Sequence, residues 1–195
     1  QELGRLKAWI KEHIPPRGSL GLSPHAPYTT KFELLEGCAE FSDLPMTMHV
    51  GESTEEDQMF REGVGAMFDF LTEAGRDMND CAGQSPLTNA QRAGLLGEHF
   101  VLVHGNYLDH FDRERIAEAA AHWVHCPRSH DYFGHQDFAA EAVLERGVNL
   151  CLGTDSLATV HDSGAVLDLF EEMRLFIQNH PRITAEACVN MGTQK

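Results

Sequence analysis

The chain has 195 residues, 42% of them hydrophobic, and a formal net charge of −15. That length supports one substantial core. The 15 Lys and Arg form no basic block, which argues against a nucleic-acid backbone as partner. No apolar run is long enough for a membrane-spanning helix. The five cysteines are odd in number and lack CxxC spacing, which points to a reducing, cytoplasmic setting rather than a disulfide framework.

In chain order the pattern alternates helix and strand. A helix over 1–13 runs to the breaker PPRG, and an apolar strand over 19–24 follows. Thr29 or Thr30 can cap a helix over 31–41. Asp43 and Pro45 mark the turn into a strand over 46–50. Residues 55–75 then read as one amphipathic helix that Gly75 terminates. A loop with Gly83 and Pro86 leads to a short helix over 88–96. Strands over 100–104, 122–126 and 148–152 alternate with helices over 112–121, 137–146 and 163–179. Strands separated by helices imply βαβ units, a parallel sheet and right-handed crossovers. The expected fold is α/β, a partial (β/α)8 barrel with five strands. Whole barrels run to about 250 residues, so three further strands are expected upstream. The first residue is Gln1, in mid-helix, and the chain reads as one incomplete domain spanning 1–195.

Each apolar run ends in a residue able to bind a metal or move a proton. These are His25, His49 with Glu52, His104, His125 with His130, and Asp155. Polar groups at the carboxyl ends of parallel strands are how barrel active sites are built. His49 is a candidate zinc ligand, and Glu52, three residues on past a glycine, a candidate proton shuttle. Asp155 closes NLCLGTDS. It is either a carboxylate that burial obliges to find a metal or donors, or a helix N-cap. His104 closes FVLVHGN, as a functional group or as a core histidine. His25 sits between two prolines that stiffen its loop. The run HWVHCPRSHDYFGH holds four histidines in what reads as a strand followed by a loop. There Arg128 and His130 suit substrate recognition, Arg128 alternatively pairing with a surface acid. Cys126 has no evident base and Pro127 follows it, which argues against a nucleophile.

Five motifs in fixed order, SPHAPYT, MHVGE, LVHGN, HCPRS and LGTDS, followed by DLFEEMRL, resemble the amidohydrolase superfamily. The similarity is to its chlorohydrolase and aminohydrolase branch, which includes the S-adenosylhomocysteine, methylthioadenosine, guanine and cytosine deaminases. The chain would then cover barrel strands four to eight as a C-terminal fragment, inactive by itself. The resemblance implies one divalent metal, zinc or alternatively iron, with His49 and Asp155 among its ligands. It implies that Asp155 takes a proton from the attacking water and that Glu52 protonates a ring nitrogen and the leaving group. It gives His104 the polarisation of the attacked carbon, and His25 contact with substrate.

Two departures stand out. The superfamily's other two metal ligands form a His-x-His pair, and no His-x-His occurs in the 195 residues. That pair is expected upstream. Relatives usually carry Asn where His130 stands, which points to a rebuilt pocket. The expected reaction is hydrolytic deamination of a purine-like or other N-heterocyclic small molecule. Dechlorination or amide hydrolysis within the same fold is the alternative, as is a non-catalytic barrel remnant. A homodimer is left open.

Overall fold

The computed structural model describes residues 2–13, 20–161 and 166–193. Four strands form one parallel sheet in chain order: β1 (Met46–Val50), β2 (Phe100–His104), β3 (His122–His125) and β4 (Asn149–Leu152). The register pairs Val50 with His104, Leu102 with Trp123 and His125 with Leu152. All four carboxyl ends therefore lie along one rim.

The expected strand over 19–24 lies partly outside the described residues. Its described part forms a single parallel bridge, Leu22 to Met46. Two backbone bonds extend the pairing, Thr47 N to Leu22 O at 2.9 Å and His49 N to His25 O at 3.0 Å. Pro24 has no N–H to donate, so this edge segment cannot continue as a regular ladder.

On one face, Met46, Met48, Val50, Phe100, Leu102, Trp123 and Leu150 are buried. Helices cover that face. They are α2 (Phe32–Ala39), α5 (Thr88–Arg92), α6 (His110–Glu118), α8 (Ala140–Leu144), α9 (Leu169–Asn179) and α10 (Ala185–Thr193). α1 (Glu2–Glu12) precedes them. The core they share with the sheet includes Leu35, Ile116, Val143, Phe176 and Cys188. Burial of this apolar area is the main stabilising term.

Several elements differ from the sequence-based expectation. The helix expected over 55–75 is two, α3 (Thr54–Glu62) and α4 (Ala66–Glu73). Gly63 (φ +69°) and Gly65 (φ +102°) take conformations that end the first helix before the second begins. Neither threonine caps α2, because Lys31 is its N-cap residue and makes no side-chain cap bond. Helix α6 starts two residues early, on a reciprocal capping box between Asp109 and Asp112. The loop expected after β3 is instead a helix, α7 (Pro127–Phe133), with Pro127 at its first turn and Gly134 (φ +64°) ending it. α9 starts at Leu169 on the Asp168 cap; residues 166–168 are not helical, and the first residues of the helix expected over 163–179 lie outside the described residues. α8 is shorter than the expected 137–146.

Away from the rim, Asp112 is fully buried and acts as an ionic hub. It accepts from Ser85 Oγ at 2.6 Å, from Arg61 at 2.9 Å and from Arg115. Arg61 also bonds Asp57 within α3 at 2.7 Å, and its contacts to Asp109 and Asp112, both 2.9 Å, tie α3 to α6.

Candidate active site

His49 sits at the end of β1. Its Nδ1 bonds the carbonyl oxygen of His25 at 2.9 Å. A carbonyl only accepts, so Nδ1 carries a proton and Nε2 is the nitrogen left free to meet a metal. The same logic holds for His25. Its Nδ1 lies 2.7 Å from Thr29 Oγ1, whose hydroxyl donates to Ala26 O. The His25 and His49 ring centroids are 5.2 Å apart. Thr29, expected as a helix cap, instead fixes this imidazole.

His104 reaches the same cluster by a break in its strand. It pairs with Val50, so in an unbroken pleat it would project to the face opposite His49. Its φ of +70° breaks the pleat, and its ring stacks on His49 with centroids 5.4 Å apart. Trp123 Nε1 donates to the His104 carbonyl at 2.8 Å and holds the turn. Burial, opposed by the charge of Asp155, pushes the imidazole pKa down to about 4. The ring is therefore neutral near pH 7.

Glu52 Oε1 lies 3.6 Å from His104 Nε2. Burial raises the pKa of this carboxyl, with His49 opposing and Asp155 adding to the rise. Asp155 is thus close enough to act on both Glu52 and His104. It too has a positive φ, +53°. Of the four described non-glycine residues with positive φ, two are His104 and Asp155. Strained backbone at two candidate reacting groups is a recognised mark of functional sites.

Asp155 does not cap the following 3-10 turn; Ser156 does, accepting from Ala158 N at 3.1 Å. Asp155 Oδ2 instead accepts from Ser129 Oγ at 2.5 Å and Thr159 Oγ1 at 3.2 Å. Ser129 was not singled out in the sequence. It stands in the first turn of α7, and the proline of HCPRS was the available signal for that helix.

His130 Nδ1 lies 3.0 Å from Asn106 Oδ1, and its ring is 5.0 Å from that of His125 and 5.3 Å from that of His135. The ring of His125 stacks on Phe138 at 3.9 Å. The Arg128 guanidinium donates to Val166 O at 3.0 Å and lies 3.8 Å from Glu172, a buried acid rather than a surface one. Burial and the charge of Asp155 push the Cys126 thiol far up, which leaves no thiolate for nucleophilic attack.

Among the described residues, no three His, Cys, Asp or Glu side chains gather closely enough to hold a metal ion alone. The donor chemistry nevertheless suits part of a zinc shell: an imidazole oriented by a carbonyl, and a carboxylate oriented by two hydroxyls.

The amidohydrolase family pattern matches residues 5–195. The chain belongs to the amidohydrolase family. It is 32% identical over 178 residues to a 5-methylthioadenosine/S-adenosylhomocysteine deaminase of Pyrococcus abyssi, covering 90% of this chain and 37% of the relative. It is 31% identical over 188 residues to the aminodeoxyfutalosine deaminase of Deinococcus radiodurans, covering 89% of this chain and 44% of that one. A solved adenosine deaminase from Xanthomonas campestris, with bound zinc, superposes with a TM-score of 0.67 at 28% identity. That match covers 99% of this chain and 38% of the other. The chain thus spans well under half the length of these amidohydrolases. Its parallel α/β sheet is consistent with part of their barrel. No helix among the described residues is long and apolar enough to cross a membrane.

Proposed function

We propose that this chain carries the proton-transfer half of a metal-dependent aminohydrolase acting on a purine-like or other N-heterocyclic amine. The observation that carries the reading is the cluster of Glu52, His49 and His104. Glu52 lies 3.6 Å from His104, whose ring stacks on that of His49. The charge of Asp155 reaches both Glu52 and His104. The deaminase relatives support the reaction class.

His49 and Asp155 would hold one zinc ion together with ligands from outside this chain. When bound, such an ion supplies Lewis acidity that makes water a nucleophile near neutral pH. Asp155 accepts a proton from the attacking water. The two hydroxyl donors on its Oδ2 hold the carboxylate in place for this. Neutral His104 steadies the oxygen that adds to the ring carbon, by a hydrogen bond from Nε2. Glu52, with its raised pKa, holds a proton at neutral pH more readily than an exposed glutamate does. It gives that proton to the ring nitrogen, relays the proton held by Asp155 to the departing amine, and regains its own from the added hydroxyl as the carbonyl forms. His25 and His130 are the proposed substrate contacts. Arg128, held by the Val166 carbonyl and Glu172, is a third.

The test is ammonia release by the intact protein from a panel of aminopurines and aminopyrimidines. The wild type is expected to release ammonia. Glu52→Gln is expected to keep its zinc and lose about 100-fold or more in kcat, the usual weight of a general acid–base group. Normal turnover by Glu52→Gln would reject the assignment. Chloride release from chlorinated rings without ammonia release would favour dechlorination.

A further inference from the structure

Glu56 is fully buried although the acid before it, Glu55, is exposed, and no part of the mechanism above uses it. Its Oε2 accepts from the backbone N–H of Glu52 at 2.9 Å. Its Oε1 has no hydrogen-bond partner. On the other side of Glu52, Asn106 Nδ2 donates to the Glu52 carbonyl at 3.0 Å. The main chain of Glu52 is therefore gripped at its N–H and at its C=O, while its carboxyl is left to meet His104.

Helix capping does not account for this arrangement. Helix α3 is already capped by Ser53, whose side chain accepts from Glu56 N at 3.2 Å. In a capping box the third helical residue bonds the N-cap amide, here that of Ser53. Glu56 instead reaches one residue further back, to the amide of Glu52 itself, in the turn that presents its side chain. That turn is tight: Gly51 has φ +62°, and a Cβ there would lie 2.9 Å from Leu108. Burying a carboxyl with one unpartnered oxygen is costly, and an already capped helix gains nothing that offsets it.

We propose that Glu56 is a positioning residue that sets the reach of Glu52 toward the reacting atoms, by holding the Gly51–Glu52 turn. The inference rests on the reading of Glu52 as proton shuttle.

The test uses the intact, zinc-loaded protein and the best amine substrate of the screen. Glu56→Ala is expected to lower kcat by up to about 100-fold, as misplacement of a reacting group by about 1 Å does. KM and zinc content should stay near wild type. Glu56→Gln, which keeps an acceptor oxygen, should restore most of kcat. In a Glu52→Gln background, Glu56→Ala should cost nothing further, because the group it positions is already disabled. If Glu56→Ala fails to fold, Glu56→Asp replaces it, one methylene too short to reach the turn. Wild-type kcat in the Ala or Asp variant overturns the proposal. So does an equal loss in the Glu52→Gln background, or a Gln variant as damaged as Ala. Normal turnover by Glu52→Gln alone overturns the reading of Glu52, and the proposal with it.

Discussion

Trp123 donates its indole N–H to the carbonyl of His104 at 2.8 Å, across the β2–β3 boundary. The contact links a fully buried core residue to the imidazole that faces Glu52. Trp123→Phe keeps most of the ring and removes the donor, leaving a buried carbonyl unpaired. The expected cost is about 1–3 kcal/mol of stability in urea unfolding, together with a lower kcat. A variant unchanged in both would show that the bond does not hold His104.

The glycine after His104 is required by the same contact. Gly105 has φ +63°, and a Cβ there would lie 2.1 Å from the Trp123 ring. Gly105→Ala must therefore displace the indole as well as strain the backbone. It is expected to destabilise by more than the ~1 kcal/mol of a left-handed alanine alone, and to lower kcat more than Trp123→Phe does. Thermal melts and steady-state kinetics on the two variants give the comparison.

Asp112 separates stability from chemistry. It is fully buried beneath Arg61, Ser85 and Arg115, and lies outside the His49–His104 cluster. Asp112→Ala leaves these partners without their shared acceptor. The expected loss is about 1–3 kcal/mol, as for buried groups left without an acceptor, since Arg61 keeps Asp57 and Asp109. Activity per folded molecule should persist at low temperature. Loss of kcat without loss of stability would contradict this division.

Glu56 makes a prediction about pH. Burial, opposed by the Gly51 and Glu52 amides, pushes its pKa up from 4.5 to about 7. The folded state then binds the proton more tightly than the unfolded state, so this group lowers stability as pH rises through that window. Gln does not titrate. The stability of Glu56→Gln relative to wild type should therefore improve between pH 4.5 and pH 7 and level off above, by about 3 kcal/mol in all. The depressed pKa values of His104 and His125 act in the opposite sense, and cancel in the difference between the two proteins. Denaturant titrations at several pH values measure it, and a flat difference would mean that the Glu56 carboxyl is not held as described.

The strands of the sheet were legible because their apolar runs are short and each ends in a polar residue. The strand expected over 100–104 matches β2 in both bounds. What the sequence concealed was backbone geometry. Strict alternation sends His104 to the wrong face, and only its positive φ brings it to His49. The break between α3 and α4 turned on reading Gly63 and Gly65 as conformational stops rather than as tolerated helix residues. Helix α7 was hidden because HCPRSH reads as a ligand-rich loop, although Pro127 suits a helix start. Glu56 looked like one acid in the run Glu55-Glu56-Asp57 until its burial and its bond to Glu52 N set it apart. The Ser53-x-x-Glu56 spacing was the one signal that could have flagged it.

The central claim is that His49, His104, Glu52 and Asp155 surround one reaction point. Diffraction from the intact protein, recorded at the zinc absorption edge, tests it most directly. One anomalous peak is expected at about 2.0–2.2 Å from His49 Nε2 and from a carboxylate oxygen of Asp155, with Glu52 and His104 beside it. A zinc ion bound elsewhere, or bound without both His49 and Asp155, would contradict it.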